Sequence, residues 1–221
     1  MNILLSHDTS KFLPYQSIFI EKLSSLLGSH SRCFLPGQTE FNNELYWQLS
    51  SNEEFLKEEN LIRFWHKESM SAAAKAPQLV IPQGELPSKI SNVLLAYSSY
   101  PDAEETFLRV GMDIALRLNA NLHCLKIVKP PKVLWTKKQY PITDELMCIE
   151  RISTHDSISE GVLEYAREHH IDLIALLTRP WQNTEHDMKY SHSMKILKAT
   201  EVPVLLFRED TIQGLPLKKW A

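Results

Sequence analysis

The sequence has few glycines and no long apolar run. It contains only 6 glycines in 221 residues. Loops that bind phosphate through backbone N–H groups use glycine for close approach and for positive φ, so this shortage argues against such a loop. No apolar run approaches the ~18–20 residues that span a bilayer, and no basic residue precedes the short apolar stretch at the N-terminus, as it would in a signal peptide. We therefore expect a cytoplasmic protein that is not inserted in a membrane.

Cysteine is also scarce. The 3 cysteines, Cys33, Cys124 and Cys148, form no C-x-x-C pair. We expect each to be a small buried or half-buried hydrophobic residue rather than a disulfide partner or a metal ligand. No G-x-S-x-G pattern occurs, so the sequence offers no nucleophile of the hydrolase type. We predict no catalytic residue.

The histidines do not form a metal-ligand pattern. The closest groups among the 9 histidines are His169 with His170, and His186 with Asp187 and His192. A metal site needs three or four convergent ligands, and adjacent helical residues such as His169 and His170 point about 100° apart. We predict no metal site.

Charge of one sign is not in excess. The formal net charge of −3 gives no general attraction to nucleic acid or to an anionic membrane. The basic segment KPPKVLWTKK, residues Lys129–Lys138, contains one aromatic residue and could touch nucleic acid. We instead expect it to be a connecting loop in solvent. The sequence therefore predicts no nucleic-acid partner.

The chain contains two pairs of similar segments. NILLSHDTS from Asn2 resembles NVLLAYSSY from Asn92, and APQLVIPQ from Ala76 resembles VPVLLFRE from Val202. The first pair is typical of a buried parallel strand followed by a turn into a helix, and the second of a strand that begins after proline. The same order occurs twice, so we interpret the chain as two unequal copies of one domain.

The second copy alternates strands with helices. This alternation predicts a parallel sheet with helices on both faces. The SISE segment at Ser157–Glu160 is a capping box at a helix start. The predicted strands are 93–96, 121–128, 146–152, 171–177 and 204–207, and the predicted helices cover 102–118, the segment after 157, and 191–199.

The first copy is shorter. We predict a strand over 2–6, a helix over 12–27, a second strand at 32–35, and two helices between 42 and 75 that meet near Ser50. The acidic and aromatic stretch Trp47–Trp65 is then a core-facing helical pair, with a groove for a partner protein as the alternative. The predicted domains are 1–84 and 90–210, with a linker at 85–89 and a tail at 211–221.

The second copy resembles the universal stress protein family. The resemblance covers about residues 90 to 209 and lies in the order and spacing of NVLLAYSSYPDAEETFLRVGMDIALRLNANLHCLKIV, HDSISEGVLEYAREHHIDLIALLTR and SMKILKATEVPVLLFRE. It implies a Rossmann-like three-layer α/β/α fold, and residues 1–84 resemble a truncated copy, as in tandem members. The family's last strand often pairs with its mate in a dimer. We therefore expect 78–81 to pair with 204–207 within one chain as a pseudo-dimer, with a homodimer as the alternative.

Nucleotide-binding members of the family carry G-x2-G-x9-G-(S/T) after the fourth strand. This chain keeps the spacing, but Leu177, Pro180 and Tyr190 stand at the glycine positions and Ser191 at the last one. Proline has no N–H to offer, and leucine and tyrosine add bulk where phosphates would lie. The segment resembles a phosphate loop that has been overwritten.

A residual nucleotide or anion site would use the residues left near this loop. Asp8 would contact a ribose or adenine, as the resemblance implies; its structural alternative is a turn or an N-cap. Ser191 and Ser193 would donate hydroxyls at a helix start, or one of them simply caps that helix. Thr178 and Arg179 would hold an anion, or finish a strand in solvent. The candidate residues are Asp8, Ser98, Thr178, Arg179, Ser191 and Ser193.

Three functions follow from these patterns. The first is a non-enzymatic protein that acts in a stress response through contacts with an unidentified protein partner, with no cofactor. The second is a regulator or weak ATPase that binds ATP or AMP in a remodelled site. The third, which no feature of the sequence tests, is a regulator of a membrane transporter.

Overall fold

The computed structural model describes residues 3–6, 45–51, 77–82, 86–97, 101–128, 136–141, 146–178 and 191–212. Within these ranges the strands are β1 (Ile3–Ser6), β2 (Leu45–Ser51), β3 (Gln78–Ile81), β4 (Asn92–Tyr97), β5 (Asn121–Val128), β6 (Thr136–Pro141), β7 (Met147–Thr154), β8 (Leu173–Thr178) and β9 (Val204–Arg208). The helices in the same ranges are α1 (Pro101–Leu118), α2 (Ile158–Glu168), α3 (His192–Ala199) and α4 (Glu209–Ile212). These strands form one nine-stranded sheet in the order β1-β2-β3-β9-β8-β4-β5-β7-β6.

The part of the sheet from β4 to β9 is wound in two directions from β4. This strand pairs in parallel with β5 on one side and with β8 on the other. The sheet then continues in parallel from β5 to β7 and from β8 to β9. The strands predicted for this half of the chain are all present, with ends that shift by at most two residues. The predicted α/β class with a parallel sheet is confirmed.

Two cores lie on opposite faces of the sheet, because successive strand residues point to opposite sides. In β8, Leu173, Ala175 and Leu177 pack with α1, whereas Ile174 and Leu176 pack with α2 and α3. The apolar stripe predicted for α1 is buried in the first of these cores, through Phe107, Val110, Ile114, Ala115 and Leu118. Helices therefore cover both faces, which confirms the three-layer α/β/α arrangement.

The helical prediction for 42–75 is wrong at its start. Leu45–Ser51 is the strand β2, which pairs in parallel with β1 and β3. Its sequence, LYWQLSS, places Leu, Trp and Leu at every second position and is rich in aromatic residues, which favours a strand. The segment SNEE at Ser51–Glu54 matches a capping box and therefore predicts a helix start, whereas in the structure Ser51 ends the strand. The remainder of 42–75, the helix predicted at 12–27 and the strand predicted at 32–35 lie outside the described residues.

A further strand contradicts the predicted solvent loop at 129–138. Thr136–Pro141 forms β6, which pairs antiparallel with β7 so that Lys137 stands opposite Arg151. Its sequence, TKKQYP, has no apolar alternation, and for that reason it was not predicted as a strand. Lysine and proline are typical of edge strands because they discourage pairing with another chain. Residues 129–135 lie outside the described part of the chain.

The strands that follow Pro77 and Pro203 lie side by side. β3 pairs antiparallel with β9, in the register Gln78–Leu206, Leu79–Leu205 and Val80–Val204. We call this junction the seam. Outward from the seam the order is β3, β2, β1 on one side and β9, β8, β4 on the other. β3 and β9, which meet at the seam, are the last strands of the first and second halves of the chain. On each side, the outward order therefore runs from the last strand of that half to its first.

Polar side chains fix the amino ends of the strands in the second half. Asp172 Oδ2 accepts hydrogen bonds from the backbone N–H of Ser91 at 2.7 Å and of Asn92 at 3.0 Å. The Asn92 side chain donates to the carbonyl of His170 at 3.2 Å. Asn121 Oδ1 accepts from the N–H of Met147 at 3.1 Å. These bonds tie β4, β5, β7 and β8 together at one edge.

The short helix α4 follows the strand β9 directly. Its Ile212 is fully buried in the core on the α1 side. The apolar side chain of Ile212 accounts for this, because it packs against the core. No helix in the described part of the chain combines the length and hydropathy needed to cross a bilayer.

Candidate functional site

The sheet has a switch point between β4 and β8. The chain leaves β4 toward β5 and β7, and then returns to β8 and β9 on the other side. In open α/β sheets ligands bind in the crevice outside the carboxyl ends of the strands at such a point. Here the strands that flank it end at Tyr97 and Thr178. The carboxyl edge around these two residues is the candidate site.

An aromatic wall borders the site on the α1 side. The Tyr97 and Phe107 ring centroids are 6.5 Å apart, and those of Phe107 and Phe207 are 5.6 Å apart, both in edge-to-face geometry. Lys126 Nζ lies 5.9 Å from the centroid of the Tyr97 ring. The three rings are buried, so they form packed support on this side of the site rather than a free face for a ligand. Sequence reasoning missed Tyr97 and Lys126, and the signal that could have found them is their position near the ends of predicted strands.

Thr178 is buried, with 4% of its surface exposed, so the expectation that it finishes a strand in solvent is wrong. Its Oγ1 donates a hydrogen bond to the carbonyl of Phe207 at 3.1 Å. The reason is β9, which pairs with β8 along its whole length and covers the last residue. The hydroxyl proton of Thr178 is therefore used within the sheet.

Arg208 ends β9 opposite Thr178 and was not among the predicted residues. Only 1% of its surface is exposed. It follows Val204 and Leu206 on the face that α2 and α3 cover. Its guanidinium places a positive charge under the carboxyl edge. The signal in the sequence was a lone arginine directly after the apolar run VLLF.

Ser191 and Ser193 stand at the start of α3. Ser191 is the N-cap, and its Oγ accepts a hydrogen bond from the backbone N–H of Met194 at 3.2 Å. The capping interpretation of Ser191 is therefore confirmed. Ser193 is half-buried in the first turn. The positive end of the helix dipole lies here, and because α3 runs back from the end of β8 toward the start of β9, this end faces the carboxyl edge.

The other predicted site residues lie outside the described residues. These are Asp8, Ser98 and Arg179, together with Pro180 and Tyr190 of the overwritten loop. The structure brings Thr178 and Ser191 to the same edge, at the two ends of segment 179–190. The first glycine position, Leu177, is described, and its side chain lies in the core on the α1 side.

Two of the cysteines are neighbours in space. Cys124 and Cys148 are buried on β5 and β7, with their Sγ atoms 3.9 Å apart, as expected for small buried residues. The hydrogen bond with Cys148, together with burial, raises the pKa of the Cys124 thiol far above its usual range. Thiols of this kind are poor nucleophiles, because the reactive species is the thiolate. Cys33 lies outside the described residues.

No group of three or more His, Cys, Asp or Glu side chains suited to a metal is present within the described ranges. His169 packs its ring against Tyr165, whereas His170 is exposed and adopts the left-handed backbone conformation, with φ of 48°. The two rings therefore do not converge. His186 and Asp187 lie outside the described residues.

The sequence matches no family model and no curated protein. Among solved structures, the chain is similar to a universal stress protein from Archaeoglobus fulgidus, with a TM-score of 0.56, 11% identity, and coverage of 94% of this chain and 86% of that chain. The universal stress protein UspA from Lactobacillus plantarum matches 55% of this chain and 100% of its own, with 19% identity and a TM-score of 0.39. A universal stress protein solved in complex with cAMP matches 55% of this chain and 99% of its own, with 18% identity and a TM-score of 0.43. At these identities the likeness concerns the fold, and it agrees with the resemblance seen in the sequence: this chain has the fold of the universal stress proteins.

Proposed function

We propose that this protein is a non-enzymatic protein of the universal stress type that acts in the cytoplasm through contacts with other proteins. The observation that carries this proposal is Leu177, which stands at the first glycine position of the nucleotide loop. Only 6% of its surface is exposed, and its side chain packs in the core. A glycine in a loop at this point would let the backbone approach a phosphate, whereas residue 177 lies inside strand β8 with its side chain in the core.

The neighbouring groups support the same proposal. The Thr178 hydroxyl donates to Phe207, and the Ser191 hydroxyl accepts from Met194, so both are engaged in backbone hydrogen bonds. Pro180 follows two residues after Thr178 and has no N–H to offer a phosphate. The remaining function of such a domain is to present its surface to a partner protein.

The seam supports the proposal that one chain imitates a dimer. The strand orders β3-β2-β1 and β9-β8-β4 are related as two copies facing each other across an antiparallel junction. We infer that residues 1–84 are a truncated copy of the domain over 90–210. The edge that a single-copy protein would offer to a second molecule is then covered within the chain.

We expect the full chain to be a monomer of 25.6 kDa in solution. The reason is that β3 already occupies the edge of β9, so this edge cannot pair with a second chain. Light scattering after size-exclusion chromatography at 1 and 100 μM measures the mass. A stable dimer whose mass is unchanged on dilution would contradict the intramolecular imitation of a dimer.

Thermal unfolding with and without millimolar ATP and magnesium tests the absence of a nucleotide site. We expect a shift below about 1 °C, on protein first checked for co-purified nucleotide. A ligand at 100 times its Kd stabilises the folded state by ~2.7 kcal/mol. For a chain of this size ~1 kcal/mol moves the midpoint by ~2–4 °C, so binding would be plain.

The alternative is an ATP- or AMP-binding regulator with a remodelled site. It is favoured by the N-terminus of α3 at this edge, where the positive end of the helix dipole suits an anion. A shift of several degrees with ATP would support it and overturn the first proposal. Ser191→Gly is the matched variant, because glycine replaces a serine cap at a cost of only a few tenths of a kcal/mol. Loss of the shift in that variant would place the nucleotide at α3.

A further inference from the structure

The C-terminal end of α2 packs on the sheet through a cluster of polar aromatic and basic side chains. The cluster consists of His123 on β5, Arg151 on β7, and Tyr165 and His169 of α2 and its C-cap. His123 Nδ1 is 3.0 Å from Tyr165 Oη, and Arg151 Nη1 is 3.2 Å from His169 Nε2. The Tyr165 and His169 ring centroids are 4.1 Å apart. The cluster lies away from the candidate site, toward the amino ends of the strands.

The contact between Arg151 and His169 defines a protonation state. A guanidinium has five N–H donors and no acceptor, so Arg151 must donate in this hydrogen bond. His169 Nε2 must therefore carry a lone pair, which means that the His169 ring is neutral in the folded protein. A proton on Nε2 would remove the acceptor and set two cations 3.2 Å apart.

The phenol of Tyr165 supplies no negative charge to offset such a proton. Burial raises the pKa of Tyr165 to about 12, although the nearby Arg151 charge acts in the opposite direction. The guanidinium carbon of Arg151 lies 5.5 Å from the centroid of the Tyr165 ring. His123 is buried against the same ring, so a proton on His123 would also be a buried charge.

The charged groups that β6 and α3 bring near the cluster are basic. Lys137 of β6 stands opposite Arg151 in the register, and α3, which packs against α2, carries Lys195 and Lys198. The carboxylates of α2 are exposed at Glu160, Glu164 and Glu168, and Asp172 already accepts two backbone N–H groups. The other titratable groups on the same helix and turn, Arg167 and His170, are also exposed.

We propose that the cluster of His123, Arg151, Tyr165 and His169 is an acid-sensitive latch, in which protonation of His169 releases the C-terminal turn of α2 from the sheet. That turn is held by His169 N–H to Tyr165 O at 3.0 Å and by Ile171 N–H to Ala166 O at 2.9 Å. It leads directly to Ile171, which is buried in the core beneath α2 and α3. Release would expose Ile171 and this apolar face to solvent. The latch operates whether or not a nucleotide binds.

The direction of the pH effect follows from proton binding. The unfolded chain protonates a histidine near pH ~6.5, whereas the latched His169 stays neutral. The unfolded state then binds more protons, so stability is complete above this pH and falls as the pH drops below it. The equilibrium constant for unfolding rises by up to tenfold per pH unit from this one group, or about 30-fold between pH 7.5 and 5.

His169→Gln tests the latch, because the glutamine amide oxygen accepts a hydrogen bond from Arg151 at any pH. Urea unfolding of the full chain at pH 7.5 and pH 5.0 measures the effect. We expect the equilibrium constant for unfolding to rise about 30-fold less in His169→Gln than in wild type between these two pH values. His170→Asn is the matched control, since asparagine tolerates the left-handed conformation of this exposed position. The stability of this variant should fall as much as that of wild type between the two pH values. Equal losses in wild type and His169→Gln would overturn the proposal.

A second variant and a local measurement keep the test informative if His169→Gln fails to fold. Arg151→Gln removes the fixed charge, and the glutamine amide can donate to a neutral His169 ring or accept from a protonated one. The stability that this variant loses between pH 7.5 and pH 5.0 should therefore also be smaller than in wild type. In wild type, hydrogen exchange at the amides of His169 and Ile171 should lose protection at pH 5.5, after correction for the intrinsic rate. The amides of α1 serve as the internal reference. Equal changes in α1 and at the end of α2 would show a global effect and contradict the latch.

Discussion

Replacement of Leu205 by lysine is expected to destabilise the protein by about 4–5 kcal/mol at pH 7, before any loss of apolar packing. Leu205 is in the middle of β9 with 0% of its surface exposed, between Leu79 of β3 and Ala175 of β8. A lysine buried there must lose its proton, and taking a group of pKa ~10.4 to its neutral form at pH 7 costs about 4–5 kcal/mol. Because a domain has only ~5–15 kcal/mol of stability, this loss would bring the variant close to unfolding.

Urea denaturation of Leu205→Lys and of the matched Leu205→Met checks this result. Methionine keeps the volume and apolarity, so it should cost less than about 1.5 kcal/mol. Comparison of the lysine and methionine variants separates the cost of burying an ionisable group from the cost of a change in side-chain shape. A lysine variant within about 1 kcal/mol of wild type would mean that the Leu205 side chain is not buried in the core on the α1 side.

Phe107→Ala should cost about 3–5 kcal/mol, the second largest effect that we expect. Phe107 of α1 is almost fully buried and lies edge-to-face with both Tyr97 and Phe207. Its removal leaves a cavity and breaks two aromatic pairs, each worth about 0.5–1.5 kcal/mol beyond the buried area. Since Tyr97 borders the candidate site, the loss would also loosen that side of the site.

The control for this prediction is Phe107→Leu, which keeps an apolar group in the space but lacks the ring. It should cost clearly less than the alanine variant, and the difference measures the cavity. Both free energies come from equilibrium unfolding in urea. If alanine cost under 1 kcal/mol, the wall of Tyr97, Phe107 and Phe207 would not be a packed unit.

The strands of the second half could be predicted because they are buried on both faces. Segments such as IDLIALL show this as an uninterrupted apolar run. Two other strands could not be predicted in this way. β6 is polar because it lies at an edge, and β2 ends at Ser51, which together with Glu54 matches a helix start. Both errors arose because a local signal was stronger than the pairing of the strand, which depends on distant residues.

The candidate site was predictable only where the signal was local. Ser191 caps a helix that begins immediately after it, so its role follows from neighbouring residues. The burial of Thr178 depends on β9, which begins 26 residues later in the chain. The charge of Arg208 and the wall around Tyr97 likewise depend on which strands become neighbours. Topology, rather than composition, decides these features.

The same limit explains the latch residues. His123, Arg151 and His169 are far apart in the sequence, and no spacing rule connects them. The parallel pairing of β5 with β7 brings His123 and Arg151 to adjacent strands, and the return of α2 over them adds His169. In the sequence alone, the nine histidines suggest only a possible metal site and do not indicate that two of them meet Arg151.

The seam also determines how long β3 remains unpaired while the chain is being synthesised. Val80 pairs with Val204, so the partner of β3 is made 124 residues after β3 itself. At a translation rate of ~5–20 residues per second, β3 waits about 6–25 seconds with the side that faces β9 uncovered. During that interval the nascent chain carries an open apolar strand edge, which can pair with other chains. Chaperone dependence during translation, and aggregation of chains that stop before β9, are therefore consequences of closing the sheet with the chain's last strand.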